Sequence, residues 1–260
     1  MKICPLFVIL TQADQDTVIG QIQQQVQVLN KAFAPAGISF DEEMPVVFLP
    51  VEGQISLNRD RERLQAALSD AVLAATNGVV PGREVVPVYV ADLEPIAKED
   101  GTRSALHGYS DYWLPENPWA GIYIDANRLP GNAVPHTETG TTQATTGSTL
   151  VHEFGHLLAD LEHTFTPGQT CVLDPELRGQ MNNMDYDADM CRGQWTPEQL
   201  ATIATRTRER LAFGRSGTRA QEDAQAAPVP TPAPLNPLKN KALAENRLAV
   251  LLIAGVFGAC

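Results

Sequence analysis

The 260-residue chain is poor in cysteine and in basic residues, and it lacks any apolar stretch long enough to cross a bilayer. Four cysteines, Cys4, Cys171, Cys191 and Cys260, are too few to make it a small disulfide scaffold. Nineteen Lys and Arg stand against 31 Asp and Glu, a formal charge of −12 that repels phosphate backbones and anionic lipid surfaces, so nucleic acid is not expected as a partner. The longest apolar run, 248–260, holds about thirteen residues where a spanning helix needs roughly 20. A recognisable N-terminal signal peptide is missing too. The apolar residues 3–10 follow a single Lys2, contain Pro5 and lead into no small-residue cleavage site, so they read as a first strand.

What is present is a folding composition: 43% hydrophobic residues over this length can bury a substantial core. Val18, Ile22, Val26, Leu29 and Phe33 recur at helical spacing and predict an amphipathic helix that stops near Pro35 and Gly37. Residues 38–51 read as extended, and Leu64, Leu68 and Val72 repeat the helical pattern across 57–75. A strand is expected over 85–90, placed near a sheet edge because Pro87 cannot donate to a ladder. AGIYIDA at 120–126 alternates in polarity beside a Thr- and Gly-rich loop and is read as an edge strand. A helix over 150–161 follows, with Ser148 or Thr149 available as its cap, and a last helix over 197–211 opens with Pro197 behind Thr196.

Beyond Arg215 the composition changes. Pro228, Pro230, Pro232, Pro234 and Pro237 mark an extended linker over 215–238, ahead of a hydrophobic tail over 239–260. The folded unit is therefore expected to be 1–214, with an N-subdomain 1–161 and a C-subdomain 162–214. The tail is read as a membrane-associated element or a site for lipid on Cys260, against the plainer reading of a short helix packed on the domain.

The chemistry concentrates at HEFGH, 152–156. Positions i and i+4 share a helix face, so His152 and His156 can present ring nitrogens to one ion, and zinc is the natural ion for two imidazoles. Glu153, beside the open coordination position, is placed to take a proton from a bound water as general base. Three of the five histidines fall within twelve residues here, which argues against a chance motif. His107 and His136 lie in expected loops and read as ordinary exposed residues. A catalytic zinc site needs a third protein ligand, for which Asp160, Glu162 and His163 are the nearby candidates. Cys171 and Cys191 flank an irregular stretch, and a bond between them would contribute roughly 3 kcal/mol and imply an oxidising compartment; two free buried thiols are the alternative.

The run VHEFGHLLADLEHTF, the later NNMDYDADMC and the WTPEQL that follows resemble the pappalysin family of metzincin metalloproteases. Upstream, VPVYVADL, HGYSDYWLP and AGIYIDA sit in the order of that family's strands, so the resemblance covers about residues 1 to 213. It implies an α/β fold: a twisted mixed sheet with an antiparallel edge strand, an active-site helix and a small irregular C-terminal subdomain. It implies Zn2+ on His152 and His156, Glu153 as general base, Met184 as the methionine of the turn beneath the metal, and Tyr186 as a hydroxyl that helps stabilise the oxyanion. Cys171 and Cys191 match cysteines on either side of that turn, which favours their pairing.

The chain departs from the family at one place. The family spacing HExxHxxGxxH puts a glycine where Ala159 stands and the third ligand where Glu162 stands, with His163 one residue late. A left-handed turn at Ala159 would cost about 1 kcal/mol, so a different exit from the helix is expected, and His163 is preferred over Glu162 as third ligand. The resulting expectation is a zinc-dependent endopeptidase acting on polypeptides, outside the cytoplasm or at a membrane. The alternatives are a zinc-containing binding protein weakened by the altered exit, or a zinc peptidase whose third ligand is a carboxylate such as Glu176. Asp185, Asp187 and Asp189 read as an acidic surface loop rather than a calcium site.

Overall fold

The structure, a computed structural model, describes residues 1–43, 45–75, 82, 84–97, 101–111, 117–135, 142–164, 171, 175–185 and 189–224. The apolar N-terminal segment forms β1 (Lys2–Ile9), followed by α1 (Gln15–Phe33), whose start is capped by Asp14 accepting from the Thr17 N–H. Two short strands, β2 (Ser39–Phe40) and β3 (Val46–Phe48), run parallel to opposite ends of β1. Then come α2 (Leu57–Ala75), β4 (Val85–Ala91), a small hairpin of β5 (Ile96–Ala97) and β6 (Arg103–Ser104), β7 (Gly108–Ser110), β8 (Ile122–Asp125) and a second hairpin of β9 (Ala133–Pro135) and β10 (Thr142–Ala144). The helix α3 (Ser148–Ala159) carries HEFGH, and a mostly irregular stretch with β11 (Met181–Asn182) and β12 (Arg192–Gln194) leads to α4 (Pro197–Ala224).

The main sheet is mixed, in the order β2-β1-β4-β8-β7 with β3 also on β1. All its pairings are parallel except that of β7 with β8. Alternation along the central strands supplies two apolar faces. Ile3, Phe7, Ile9, Val86, Val88, Val90, Ile122 and Ile124 pack against α1 and α3 on one side. Leu6, Val8, Leu10, Tyr89 and Tyr123 pack against Leu64, Leu68 and Val72 of α2 on the other. The result is a sheet between two helical layers, with α3 on the same face as α1.

Two expected edges are interior. AGIYIDA contributes β8, which lies between β4 and β7, so the antiparallel edge strand is β7 from the HGYS segment. Alternation reports a pleated strand but not its neighbours. Strand β4, with Pro87, is central. Its ladder with β8 starts at Val88 opposite Ile122, so Pro87 lies one residue before a donor is called for. Gly121 faces it there, where a Cβ would stand 2.1 Å from the Pro87 carbonyl oxygen.

The cap of α3 also differs from expectation. Its N-cap is Gly147, at φ 83°, with no side-chain cap of its own. Thr196 does cap α4, in a reciprocal arrangement in which the Gln199 N–H donates to its hydroxyl and the Thr196 N–H donates to the Gln199 side chain. That helix runs to Ala224, past the expected end near Leu211, and the segment 225–260, with the proline-rich stretch and the hydrophobic tail, lies outside the described residues. Among the described residues no helix is long and apolar enough to cross a membrane. Cys171 and Cys191 are joined in a disulfide.

Candidate metal centre

Helix α3 buries its apolar positions Leu150, Val151, Phe154, Leu157 and Leu158 against the sheet, which turns His152, Glu153 and His156 together toward the opposite side. His152 and Glu153 are 5% and 7% exposed, so both sit in a walled site rather than on a surface face. After Ala159 the chain turns at Asp160, at φ 50° and ψ 38°, the one non-glycine residue with positive φ among those described. The left-handed position is thus one residue later than the glycine of the HExxHxxGxxH spacing, and the histidine that follows is one residue later as well. Ala159 stays in the helix, which avoids the strain a Cβ would meet at that position.

This exit brings His163 back over the helix. The Nε2 atoms of His152, His156 and His163 lie 3.0–3.1 Å from one another. His152 Nδ1 is 2.8 Å from the Asn183 carbonyl oxygen and His156 Nδ1 is 2.6 Å from that of Leu161. Carbonyls only accept, so both rings carry their proton on Nδ1 and turn bare Nε2 lone pairs inward. A tetrahedral zinc with Zn–N bonds of 2.0–2.1 Å would hold such nitrogens about 3.3 Å apart. The donor set therefore fits a zinc ion: three converging nitrogens, two of them on rings oriented by a backbone acceptor behind the ring. Among the described residues this is the group of His, Cys, Asp and Glu side chains able to hold a metal, and Glu162 and Glu176, both exposed, are not part of it.

Electrostatics agree with neutral ligands. Burial pulls His152 down to about 3, with the nearby Arg192 charge adding to it. Burial likewise lowers His156, and lowers His163 with help from His156 and Arg192. Burial pushes Glu153 up to about 8 against the opposing pull of Arg192. In the absence of a cation Glu153 therefore holds its proton at neutral pH, and a cation beside it would favour the carboxylate.

The turn after β11 packs against α3. Met184 is fully buried, and the Thr164 N–H donates to its carbonyl at 2.9 Å, tying the segment after His163 to this turn. A Cβ on Gly155 would stand 2.6 Å from the Met184 sulfur and 3.0 Å from the Trp195 ring, so the glycine inside HEFGH is what lets the turn close on the helix. Tyr186 and Asp187 lie outside the described residues, as does His136. His107 is exposed, beside the Arg128 guanidinium at 2.6 Å.

Four residues matter here that sequence reasoning passed over. Gly108 of β7 packs against Glu153, where a Cβ would come within 2.6 Å of its carboxylate. Asn183 supplies the acceptor for His152. Asp189, read as part of an acidic surface loop, is 6% exposed and accepts from the Ser148 and Thr149 hydroxyls and the Thr149 N–H. It caps α3 from a distant loop, and Asp185 too is buried. Arg192 is buried beside Asp189 and donates to the Thr149 hydroxyl at 3.0 Å. Nothing local in the sequence distinguishes these from solvated polar residues.

Fold and site together define a mixed α/β protein with a three-histidine cluster that could hold a metal ion, two of the histidines on a helix and the third just beyond it. The chain is 25% identical over 209 residues to an extracellular metalloprotease of Pyricularia oryzae, a match covering 71% of this chain and 65% of that protein. The match thus spans less than two thirds of its relative's length. A solved zinc-dependent peptidase from Methanocorpusculum labreanum superposes with a TM-score of 0.41 and 12% identity, over 76% of this chain and 99% of that one. No family model matches the sequence.

Proposed function

We propose that this chain is a zinc-dependent endopeptidase of the metzincin type, resembling the pappalysins, with His152, His156 and His163 as metal ligands. The observation that carries the reading is the convergence of three Nε2 atoms within 3.1 Å, two of them on rings oriented by backbone carbonyls. The extracellular metalloprotease relative supports it.

Zinc bound there would lower the pKa of a water to roughly 7 and polarise the scissile carbonyl. Glu153 is the general base: next to two ligands on the same helix and walled by β7, it takes the water's proton and returns it to the leaving amine. Tyr186 donates its hydroxyl to the oxyanion. Met184 supports the histidines from below. The β7 edge not paired to β8 accepts an extended peptide as an added strand, which suits polypeptide substrates. The Cys171–Cys191 disulfide and the extracellular relative favour action outside the cytoplasm. The catalytic unit is 1–214, with α4 continuing to Ala224, so that of the expected linker 215–238 only 225–238 lies beyond the helix, ahead of an appended tail over 239–260.

Zinc content and cleavage of an unfolded protein substrate, compared across wild type, Glu153→Ala, Glu162→Ala and His163→Ala, test the reading. Glu153→Ala is expected to keep zinc and lose activity by about 10²–10⁴-fold. His163→Ala is expected to lose zinc and Glu162→Ala to keep it; the reverse result overturns the ligand assignment. A zinc-loaded wild type that cleaves none of many substrates would make the chain a zinc-containing binding protein.

A further inference from the structure

We infer that Asp160 and Arg210 form a positioning pair for the metal centre: Asp160 makes the left-handed turn that leaves α3, Arg210 of α4 holds it, and together they determine where His163 meets His152 and His156. The inference rests on the zinc reading above and adds to it a role for α4.

The turn at Asp160 is the departure from a glycine exit. An L side chain is disfavoured there by about tenfold or more, and aspartate and asparagine are the residues that visit the region singly. Here the aspartate is also held. Arg210 Nη2 lies 2.7 Å from both carboxylate oxygens, and Arg206, one turn earlier on the same face of α4, is 3.7 Å from Oδ2. The other Arg210 nitrogen, Nη1, donates to the Leu157 carbonyl. One guanidinium thus satisfies a carbonyl left over at the end of α3 and fixes the side chain of the residue that ends it. The Arg210 side chain is 23% exposed and that of Asp160 40%, so water screens the pair in part and its hold on the turn is chiefly geometric.

The turn acts on two of the three histidines. The Asp160 N–H donates to the His156 carbonyl at 2.8 Å, and the next residue, Leu161, gives its carbonyl to His156 Nδ1. His163 follows three residues after Asp160, and the Thr164 N–H anchors the far end of the segment on Met184. Between a left-handed residue clamped by α4 and a hydrogen bond to the methionine turn, residues 161–163 have little freedom. A shift at Asp160 would move His163 Nε2 and release the His156 ring at once.

Zinc affinity by chelator competition, the visible absorption of the Co2+-loaded protein and thermal unfolding of the metal-free form test the pair in wild type, Asp160→Ala, Asp160→Gly and Arg210→Ala. Asp160→Ala is expected to weaken zinc binding by about tenfold or more, since it gives up both the tolerated turn and the ion pair. Arg210→Ala is expected to weaken it by about tenfold, and Asp160→Gly, which keeps the turn alone, by about threefold. The Co2+ spectrum should change in Asp160→Ala and Arg210→Ala. In a His163→Ala background, whose weak residual zinc affinity the same competition reads, the part of the loss that runs through His163 should vanish and only the smaller part through His156 remain, which a merely structural role would not produce. Should Arg210→Ala fail to fold, Asp160→Ala and Arg210→Lys carry the comparison. Folded variants that bind zinc like wild type, or that lose affinity equally without His163, overturn the pairing. A wild-type chain that takes up no zinc overturns the zinc reading itself.

Discussion

Individual side chains at the centre are placed by very short distances. Gly108 is the sharpest case: a methyl group there would meet Glu153 Oε1 at 2.6 Å and Cγ at 2.8 Å, and both atoms belong to the proposed base. Gly108→Ala is therefore expected to push the carboxylate off its line and cost about 10²-fold in turnover, with zinc content and helix signal unchanged. Turnover of a quenched peptide beside a metal assay checks this, and an unimpaired variant would mean that the base tolerates displacement. At this scale His152, Glu153 and His156 were legible because helical spacing alone puts them together. His163 was legible only as one of several candidates, because its position depends on a turn whose handedness local composition leaves open. Gly108 was not legible, since its importance is set by a side chain forty-five residues later.

Among the elements, α3 depends on its surroundings more than on its own sequence. Its N-cap glycine offers no side chain, and the carbonyl of that glycine accepts from the buried Gln25 of α1 at 2.9 Å. The first turn is capped by Asp189. Burial pushes the Asp189 carboxyl up, but Arg192 and the hydrogen bonds from Thr146 and Thr149 outweigh it and hold the group below the ordinary aspartate range. Asp189→Asn would take away a carboxylate that accepts from Thr146, Ser148 and Thr149 and stands 3.9 Å from the Arg192 guanidinium. The expected loss is about 2 kcal/mol, read from urea unfolding of the metal-free chain. A change under about 0.5 kcal/mol would mean that the hydroxyls alone cap the helix. The long helices and the central strands were readable from their periods; the short pairs β5–β6, β11–β12 and β9–β10, the last within a segment read as a loop, were not. The order of strands was not, and so AGIYIDA and Pro87, read as edge features, prove interior: neighbours in a sheet are chosen by packing across the whole fold.

Across the whole molecule the three clustered histidines and Glu153 couple stability to pH. Burial keeps His152 deprotonated in the metal-free fold down to about 3, and lowers His156 and His163 as well. The unfolded chain protonates its histidines near 6.5, so below that value it binds more protons than the fold. The histidine contribution is thus complete above about 6.5 and is lost as pH falls. Glu153 has the opposite sign. Raised from 4.5 to about 8, it lets the fold hold more protons between those values, so its contribution is lost as pH rises through that window. Together these groups place the stability maximum of the metal-free chain at about pH 6 to 7. Zinc at 100-fold excess over its dissociation constant should add about 2.7 kcal/mol and remove the decline above pH 7, because the cation favours the Glu153 carboxylate. Calorimetry between pH 5 and 8.5, with and without chelator, checks both; a metal-free chain that keeps gaining stability up to pH 8 contradicts the assignment.

By itself the sequence determined the two helical histidines, the glutamate between them and the alternating helix and strand periods, because each depends on residues a few positions apart and on backbone geometry common to all chains. Only the tertiary structure decided that His163 joins the other two, that β7 is an edge of the main sheet among the described residues, and that Asp189 and Arg210 hold the two ends of α3. Each of these is a contact or a handedness that exists only once distant segments have packed. Asp160, in the left-handed region under a guanidinium fifty residues away, is where the two kinds of information meet.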